Sequence, residues 1–327
     1  MNVARYIHTV STLANGLVLV TGGNNLSAYL NSAELYNSLT GTWTTTGNMS
    51  VVRAHHTAST LVNGSVVVAG GTSSGGYLNS TELYHPSTGA WTNTGSMNFA
   101  RRDHTASTLA NGSVLVVGGQ SNGNVYLNSA ELYNTSTGTW ATTGSMNAAR
   151  SGHTASTLAN GSILVAGGSD SIGSLNSAEL YNPSTGTWTT TGNLNAVRYV
   201  HTASTLANGL VLVAGGASSA GVYLNSAELY NPSTGTWTTT GNMSIVRYHH
   251  TASTLANGLV LVTGGYNNIT GYLSSAELYN PLTGTWTTTV NMNIARDYHT
   301  AFILANGKVL VTGGSNSGGA LSNAELY

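Results

Sequence analysis

The chain has 327 residues, of which 40% are hydrophobic and 6% charged, and it contains no cysteine. Its 9 Lys and Arg residues balance 10 acidic ones, so no basic field attracts nucleic acid or an anionic membrane. Without cysteine, disulfides, thiolate catalysis and thiolate-bound metals are excluded. The compartment stays open: a cytoplasmic location is favoured, and secretion is the alternative if the N-terminus given is truncated.

The sequence repeats itself with a period of 48 or 49 residues, and repeats of this kind determine the whole fold. A His-Thr pair marks each unit, at His8, His56, His104, His153, His201, His250 and His299. A Gly-Gly pair and a Glu-Leu-Tyr unit follow each of them with the same step. Tryptophan occurs in only six units, at Trp43, Trp91, Trp140, Trp188, Trp237 and Trp286.

Each unit predicts four short strands in chain order. Strand A, HTASTL, is followed by Asn-Gly, as at Asn15-Gly16, which predicts a type I′ hairpin into strand B. Strand B, LVLVTGG, is continuously apolar, as expected when both of its faces are covered. Strand C, NSAELYN, leads through a turn such as Pro183 to Gly186 into strand D, TWTTTGN. No segment shows a helical period, so each unit predicts one antiparallel blade of a β-propeller.

The succession of an Arg, a strand ending in Gly-Gly, Glu-x-Tyr and a Trp seven residues after the Tyr resembles the kelch repeat over essentially the whole chain. The resemblance implies an all-β fold, a seven-bladed kelch β-propeller, with strand A innermost and strand D outermost. We therefore expect a single domain, 1–327, with blades at about 5–48, 53–96, 101–145, 150–193, 198–242, 247–291 and 296–327.

The seventh unit lacks the sequence of a strand D, because the chain ends with strand C, Leu321 to Tyr327. Met1 aligns with Met49, so the N-terminus does not supply the missing strand either. The interpretation we favour is that the chain is a segment of a longer kelch array. The alternative is a three-stranded seventh blade whose open edge, Leu321 to Tyr327, pairs with another chain.

Residues that recur in every unit share one environment, so the scaffold is the first explanation for them. Seven arginines and seven glutamates recur, at Arg5, Arg53, Arg101, Arg150, Arg198, Arg247 and Arg296 and at Glu34, Glu82, Glu131, Glu179, Glu228, Glu277 and Glu325. We expect each Glu to be paired with an Arg or with backbone donors, because buried charges persist only when paired. A ring of catalytic carboxylates or an anion-binding crown is the alternative. The seven His-Thr histidines cannot converge on one metal, so we expect structural histidines bonded to neighbouring backbone.

Two segments differ between units. One is the dipeptide between the Arg and the His: Tyr6-Ile7, Ala54-His55, Arg102-Asp103, Ser151-Gly152, Tyr199-Val200, Tyr248-His249 and Asp297-Tyr298. The other follows each Gly-Gly pair. Because strands alternate in direction, the D-to-A and B-to-C connections emerge on the same face of the propeller. All ten tyrosines outside the Glu-Leu-Tyr units lie in or beside these connections, which is typical of an adaptable recognition surface. Drift in unconstrained loops is the alternative explanation.

The variable face therefore provides the candidate ligand-binding residues: Tyr6, His55, Arg102, Asp103, Tyr199, Tyr248, His249, Tyr266, Asp297 and Tyr298. No catalytic residue, metal ligand or cofactor is predicted. By the resemblance, a copper radical oxidase needs a tyrosine cross-linked to cysteine, and an iron-dependent kelch subgroup needs Glu-x-x-x-Asp-x-x-x-His; both are absent. His55-His56 and His249-His250 remain a minor metal option, with at most one ligand from each pair, because successive residues of a strand point apart.

The predicted function is non-enzymatic binding of a protein or peptide through the face formed by the D-to-A and B-to-C loops. Glycan recognition is the first alternative, since tyrosine surfaces with Asn and Asp are common sugar platforms. A small-substrate enzyme of the sialate-mutarotase kind, at the same channel mouth, is the second. No nucleic-acid partner and no membrane partner is expected.

Overall fold

Each repeat folds into one antiparallel blade in the computed structural model, which describes residues 1–327. The blades follow one another around a channel lined by their A strands. Strands A to D are Thr9–Thr12, Leu17–Thr21, Ala33–Asn37 and Thr42–Thr45 in blade 1; Thr57–Thr60, Val66–Ala69, Thr81–His85 and Ala90–Asn93 in blade 2; Thr105–Thr108, Val114–Val117, Ala130–Asn134 and Thr139–Thr142 in blade 3; Thr154–Thr157, Ile163–Ala166, Ala178–Asn182 and Thr187–Thr190 in blade 4; Thr202–Thr205, Val211–Ala214, Ala227–Asn231 and Thr236–Thr239 in blade 5; and Thr251–Thr254, Val260–Thr263, Ala276–Asn280 and Thr285–Thr288 in blade 6. The predicted seven-bladed all-β fold is confirmed.

Blade 7 has three strands, Thr300–Ile303, Val309–Thr312 and Ala324–Leu326. Four B-to-C loops carry a small extra hairpin: Thr72–Ser73 with Gly76–Tyr77, Gln120–Ser121 with Val125–Tyr126, Tyr266–Asn267 with Gly271–Tyr272, and Ser315–Asn316 with Gly319–Ala320. The one helical element is a single 3₁₀ turn at Asn122–Asn124. No helix of the structure has the length and apolar character needed to span a membrane.

The A-to-B hairpins differ from the predicted type I′ turn. In blade 1, Gly16 N–H donates to Leu13 O at 2.9 Å, and Leu13 N–H donates to Leu17 O at 2.9 Å. Gly16 has a φ of 79°, whereas Asn15 is not among the residues with positive φ, and a type I′ turn needs both. The loop is therefore a type I turn that ends in a left-handed glycine, and Asn15 Oδ1 accepts a hydrogen bond from Leu17 N–H instead.

The hydrophobic core lies between blades. One cluster joins Leu164 and Leu194 of blade 4 to Val211, Val213 and Tyr230 of blade 5, all at most 1% exposed. Every residue of strand B is buried in the six blades where it has four residues, as the continuously apolar sequence predicts. Fully burying a side chain such as Val or Leu stabilises the fold by about 1.5–3 kcal/mol. Because each blade supplies only half of a core, stability depends on neighbours around the ring.

The Gly-Gly pairs lie where one blade touches the connector of the next. Gly168 N–H donates to Arg198 O at 2.8 Å, and a Cβ on Gly167 would lie 2.5 Å from the same carbonyl. Both glycines have positive φ, at 61° and 95°. Glycine is required here by the close approach as well as by the backbone conformation.

The recurring Arg and Glu form buried ion pairs inside each blade, which confirms their scaffold role. In blade 4, Arg150 Nη2 lies 2.9 Å from Glu179 Oε1, and Arg150 Nη1 donates to Gly167 O at 2.7 Å. The Glu179 carboxylate also accepts Asn147 N–H at 2.7 Å and Ala148 N–H at 3.0 Å. Burial alone would raise the pKa of Glu179, but these donors and Arg150 hold it below its usual value. The pair fixes the connector that arrives from the preceding blade.

The ring is closed by the N-terminal segment, which packs on blade 7. Arg5 N–H donates to Leu321 O at 3.0 Å, and Gly314 N–H donates to Arg5 O at 2.9 Å. The Met1 side chain lies beside Gly313, as Met49 lies beside Gly22 and the methionines of four other connectors lie beside their glycines. The residues before strand A of blade 1 thus replace the D-to-A connector between blades 7 and 1.

Candidate ligand-binding face

The D-to-A and B-to-C loops meet on one face, as predicted. In each blade the first residue of the variable dipeptide forms a β-bridge with the residue after Gly-Gly: Tyr6 with Asn24, Ala54 with Thr72, Arg102 with Gln120, Ser151 with Ser169, Tyr199 with Ala217, Tyr248 with Tyr266, and Asp297 with Ser315. The two variable segments therefore form one surface.

A ring of seven residues surrounds the channel mouth on this face. These residues, here called the collar, are the second members of the dipeptides: Ile7, His55, Asp103, Gly152, Val200, His249 and Tyr298. All seven have positive φ, between 46° and 62°. Six of their N–H groups donate to the carbonyl of a neighbouring collar residue, at 2.8 to 3.4 Å. Left-handed geometry is unusual for β-branched residues such as Ile7 and Val200, and strain of this kind is typical of functional regions.

The histidine pairs do not lie in a strand, as the sequence analysis assumed. His249 has a φ of 52° and lies outside strand A, so the alternation of a β-strand does not apply to His249 and His250. The two side chains nevertheless diverge. His249 stacks on Tyr298 of blade 7 with centroids 3.7 Å apart, whereas His250 Nε2 lies 3.0 Å from Thr202 Oγ1 of blade 5. They cannot act together on one metal.

The repeating histidines bond to threonine hydroxyls of the preceding blade rather than to the backbone that the sequence suggested. The seven Nε2 to Oγ1 distances are 2.8 to 3.0 Å, including His8 to Thr300 across the closure. Burial lowers the pKa of every one of them, and for His104, His201 and His299 it reaches about 3. These imidazoles are neutral structural groups.

Charged side chains are concentrated on blades 2 and 3. His55 Nδ1 lies 2.6 Å from Asp103 Oδ1, and Arg102 Nε lies 3.5 Å from Asp103 Oδ2. Arg102 also donates to Gln120 Oε1 at 2.9 Å and lies over the Tyr77 ring, 4.7 Å from its centroid. Burial would raise the pKa of Asp103, but His55 and Arg102 hold it below its usual value. Asp103 is therefore an ionised, already paired carboxylate.

Aromatic side chains form a continuous band across blades 5, 6, 7 and 1. Tyr223 stacks on Tyr248 with centroids 4.7 Å apart and planes within 9°. Tyr248 contacts His249 at 4.4 Å, and His249 stacks on Tyr298. The band ends at Tyr6, whose centroid lies 6.2 Å from that of Tyr298. We call these five residues the aromatic band.

Two further tyrosines extend the band outward. Tyr266 meets Tyr248 edge-on at 5.8 Å, and Tyr272 meets Tyr266 edge-on at 5.2 Å. All of these rings are partly buried against one another. Such mutual packing fixes their rotamers and pre-forms the surface.

Asp297 lies under the aromatic band and is 5% exposed. Its Oδ1 accepts a hydrogen bond from Ser315 Oγ at 2.6 Å, and its Oδ2 has no such partner. Burial raises the pKa of Asp297 to about 6. Burial is the main cause that raises the pKa of Tyr6, Tyr248 and Tyr298, and the nearby Asp297 charge and neighbouring tyrosines add to it. A single buried carboxylate is thus surrounded by phenol rings.

The structure brings together most of the residues predicted from the sequence. Tyr6, His55, Tyr248, His249, Tyr266, Asp297 and Tyr298 cluster near the mouth, and Arg102 with Asp103 adjoins His55. Tyr199 makes no aromatic pair, but it lies near Tyr223: burial, and then the proximity of Tyr223 and Tyr126, raises the pKa of Tyr199. The sequence reasoning missed Tyr77, Gln120, Tyr223, Tyr272 and Ser315. All five lie in the variable B-to-C loops. Five of the seven B-to-C loops end in a Tyr-Leu pair, and this pair could have identified Tyr77, Tyr223 and Tyr272.

No group of three or more His, Asp or Glu side chains is arranged to hold a metal ion. The channel below the collar has a volume of about 470 Å³ and is lined by strand A residues and the structural histidines. The polar groups that remain available for a ligand are therefore those of the collar and the loops around it.

Two family models match the sequence. The Attractin/LZTR1 β-propeller matches residues 35–270, and the kelch motif matches residues 8–50. The chain belongs to the kelch-repeat β-propeller family. No curated protein matches this kelch propeller. Among solved structures, it is similar to a fungal alcohol oxidase of the AA5 family in complex with copper, with a TM-score of 0.77 and 19% identity over 96% of this chain and 70% of that one. At this identity the likeness is one of fold.

Proposed function

We propose that this kelch propeller binds a protein partner, without catalysis, through the aromatic band and Asp297. The observation that carries the proposal is the unbroken contact from Tyr223 to Tyr6 on one sector of the variable face. Tyrosine rings provide large contact areas with little loss of side-chain entropy, and aromatic residues dominate binding energy at protein interfaces.

The chemistry of the band favours a basic side chain of the partner. Asp297 has one carboxylate oxygen without a hydrogen-bond donor, and the surrounding tyrosine rings present faces that attract cations. An arginine or lysine inserted here would pair with the carboxylate and with the rings. The Asp103 carboxylate, in contrast, is already paired with His55 and Arg102.

The residues themselves support binding rather than catalysis. His55 hydrogen-bonds only to Asp103, and no hydroxyl nucleophile is bonded to it. Burial lowers the pKa of His249 to about 3, which makes it a weak base at neutral pH. The copper radical chemistry known in kelch oxidases needs a cysteine, and this chain has none.

A display screen of peptide libraries, run beside a glycan array, tests the proposal. We expect the enriched peptides to contain Arg or Lys and their binding to be lost in Tyr248→Ala and His249→Ala variants. Tyr77→Ala is the matched control, because Tyr77 lies in a B-to-C loop of the same face, beside Arg102, and makes no contact with a ring of the band. Binding that survives the band substitutions would disprove the site, and enrichment of glycans alone would favour sugar recognition.

A further inference from the structure

Asp297 is surrounded by tyrosine rings at the junction of blades 6, 7 and 1. The four rings near it are Tyr248 and Tyr272 of blade 6, Tyr298 of blade 7 and Tyr6 of blade 1. Burial is the main cause that raises the pKa of these phenols, and the Asp297 charge adds to it in each of them. All four side chains are partly exposed, so a ligand can reach them. We call Asp297 and these four tyrosines the cage.

The Asp297 carboxylate has one oxygen without a partner. Its Oδ1 accepts a hydrogen bond from Ser315 Oγ at 2.6 Å, and no hydrogen bond reaches Oδ2. None of the ion pairs of the chain includes Asp297. Oδ2 is not fully enclosed, so a donor from outside the protein can approach it. The cage therefore offers one open acceptor to a cationic donor.

An equivalent position in the propeller already holds a cation. In blade 3 the first residue of the variable dipeptide is Arg102, whose guanidinium lies over the Tyr77 ring, 4.7 Å from its centroid. Tyr77 belongs to the Tyr-Leu pair of the preceding blade, at the same sequence spacing from Arg102 as Tyr272 from Asp297. In blade 7 an acid replaces the arginine, and no cation of the chain lies over Tyr272. A cation from outside would contact the ring and pair with the carboxylate.

Tyr6 also has a ring face without a stacked partner. Tyr248 stacks on Tyr223, the tyrosine of the Tyr-Leu pair in the preceding blade. At the equivalent position before Tyr6 around the ring, the loop of blade 7 carries Ala320 instead. The one aromatic partner of Tyr6 is Tyr298, which it meets edge-on at 6.2 Å. Because the faces of tyrosine rings attract cations, Tyr6 adds a second surface for the same ligand.

The number of open acceptors distinguishes between basic groups. An arginine pairs best with both oxygens of a carboxylate, but Asp297 Oδ1 is already bonded to Ser315. A lysine ammonium carries three N–H donors, and a donor left without an acceptor in a buried site costs free energy. An ammonium with two methyl groups on it keeps one N–H, which matches the single open oxygen. Its methyl groups carry part of the positive charge and pack well on aromatic rings.

We propose that the cage binds a dimethylated lysine side chain of the partner protein. This inference rests on the proposed function and specifies the group that the aromatic surface recognises. The ammonium N–H donates to Asp297 Oδ2, and the two methyl groups contact the tyrosine rings. Trimethylated lysine lacks the N–H and unmodified lysine lacks the methyl groups, so both bind less tightly.

Four peptides that differ in one side chain test the inference. The host peptide, acetyl-Gly-Ser-Gly-Lys-Gly-Ser-Gly-amide, carries the lysine with zero, two or three methyl groups, or an arginine in its place. Each peptide is titrated into the full chain by isothermal titration calorimetry. We expect the dimethyl peptide to bind at least about tenfold more tightly than the unmodified and arginine peptides, with the trimethyl peptide between them. The inference fails if the unmodified or arginine peptide binds as tightly, if the trimethyl peptide binds more tightly, or if no peptide binds at millimolar concentration.

Variants of the protein locate the site. Asp297→Asn should weaken binding of the dimethyl peptide about tenfold and remove its advantage over the trimethyl peptide. Tyr272→Phe keeps the ring and should bind as the parent does, whereas Tyr272→Ala should weaken binding at least about fivefold. Tyr77→Ala is the matched control, because Tyr77 has the equivalent loop position beside Arg102 and should leave binding unchanged. Melting temperatures show that each variant folds, and Tyr272→Leu replaces Tyr272→Ala if the latter does not. Unchanged binding in Asp297→Asn would disprove the inference.

Two further measurements separate this inference from the proposed function. Choline is titrated in place of the peptides, and if it binds as tightly as the dimethyl peptide, the ligand is a small cation and the assignment to a protein side chain is wrong. Displayed peptides that need Tyr248 but gain no affinity when their lysine is dimethylated would overturn the inference and leave the proposed function standing. Binding of the dimethyl peptide without any enriched peptide in the display screen would confirm the cage and disprove the wider binding face.

Discussion

The two aspartates of the variable face illustrate how one residue type takes opposite roles. Asp103 is paired with His55 and Arg102, and its pKa lies below the usual value; Asp297 is buried under tyrosines, and its pKa is raised to about 6. Because the folded-state pKa of Asp297 is raised, its own contribution to stability is most favourable below the unfolded pKa of about 3.9 and is lost as the pH rises through about 6. At neutral pH the ionised Asp297 therefore destabilises the fold.

We expect Asp297→Asn to raise the free energy of unfolding at pH 7.5 by about 2 kcal/mol. The neutral amide avoids the cost of burying an ionised carboxylate in this site. Asp103→Asn is the matched control and should lower the free energy of unfolding, since the Asp103 carboxylate is paired with His55 and Arg102. Urea unfolding of both variants shows whether the free energy of unfolding rises in one and falls in the other. A loss of stability in Asp297→Asn would show that its carboxylate is not buried at a cost, and would weaken its assignment to ligand binding.

The Arg–Glu pairs make a second prediction at the level of single residues. Glu179→Ala leaves Arg150 charged and buried, which should cost about 3–5 kcal/mol in the free energy of unfolding. Glu325→Ala should cost less, because the Glu325 side chain is 13% exposed at the open edge. Urea unfolding at pH 7.5 compares the two, and equal losses would contradict the role of burial.

At the scale of elements, the residue after strand D depends on the turn of the next blade. Gly144 faces Gly186 O, and a Cβ there would lie 2.2 Å away, whereas Val290 faces no such turn. We expect Gly144→Val to lower the free energy of unfolding by about 1–3 kcal/mol through overpacking, and Val290→Gly to change it by less than about 1 kcal/mol. Thermal melts of the two reciprocal variants measure this. If the two variants changed the free energy of unfolding by similar amounts, the C-to-D turn of the next blade would not be the reason that glycine is required.

The elements show how far the sequence could predict this protein. Strand order, the buried Arg–Glu pairs and the shared face follow from periodicity, since every copy repeats the same packing problem. The collar does not follow: six of its seven members are not glycine, and nothing in the sequence signals a left-handed backbone at Ile7 or Val200. The turn type at Asn15-Gly16 was also wrong, because the Asn-Gly signal does not specify how many residues the loop contains.

Side-chain contacts between neighbouring blades could not be predicted from the sequence either. The dipeptide tyrosines were predicted as a surface, but the stacking of Tyr223 on Tyr248 depends on how neighbouring blades are rotated about the channel. Periodicity gives the number of blades and not the side-chain distances between them. The buried position of Asp297 depends likewise on Tyr6 and Tyr248 from the blades on either side.

At the scale of the whole molecule, seven neutral histidines link folding to pH. Their Nε2 atoms join successive A strands around the ring, and burial lowers the pKa of all seven. In the unfolded chain each regains a pKa of about 6.5. Between that value and the folded pKa the unfolded state binds more protons, so stability falls as the pH is lowered.

We therefore expect stability to fall as the pH is lowered below about 6.5 and unfolding to be cooperative. The seven histidines take up protons on unfolding, and Asp297, whose folded-state pKa is about 6, offsets this by about one proton. Replacing His201 by Asn keeps a group that can bond to Thr154 but removes one titrating site. The slope of the unfolding free energy against pH between 5 and 6.5 should then fall by about one proton, that is about 1.4 kcal/mol per pH unit. His85→Asn is the control for the loss of a histidine outside the ring, since His85 lies on the blade surface beside Thr92. A free energy of unfolding that does not change between pH 7 and 5 would contradict this prediction, because it would show that the histidines are protonated in the folded protein.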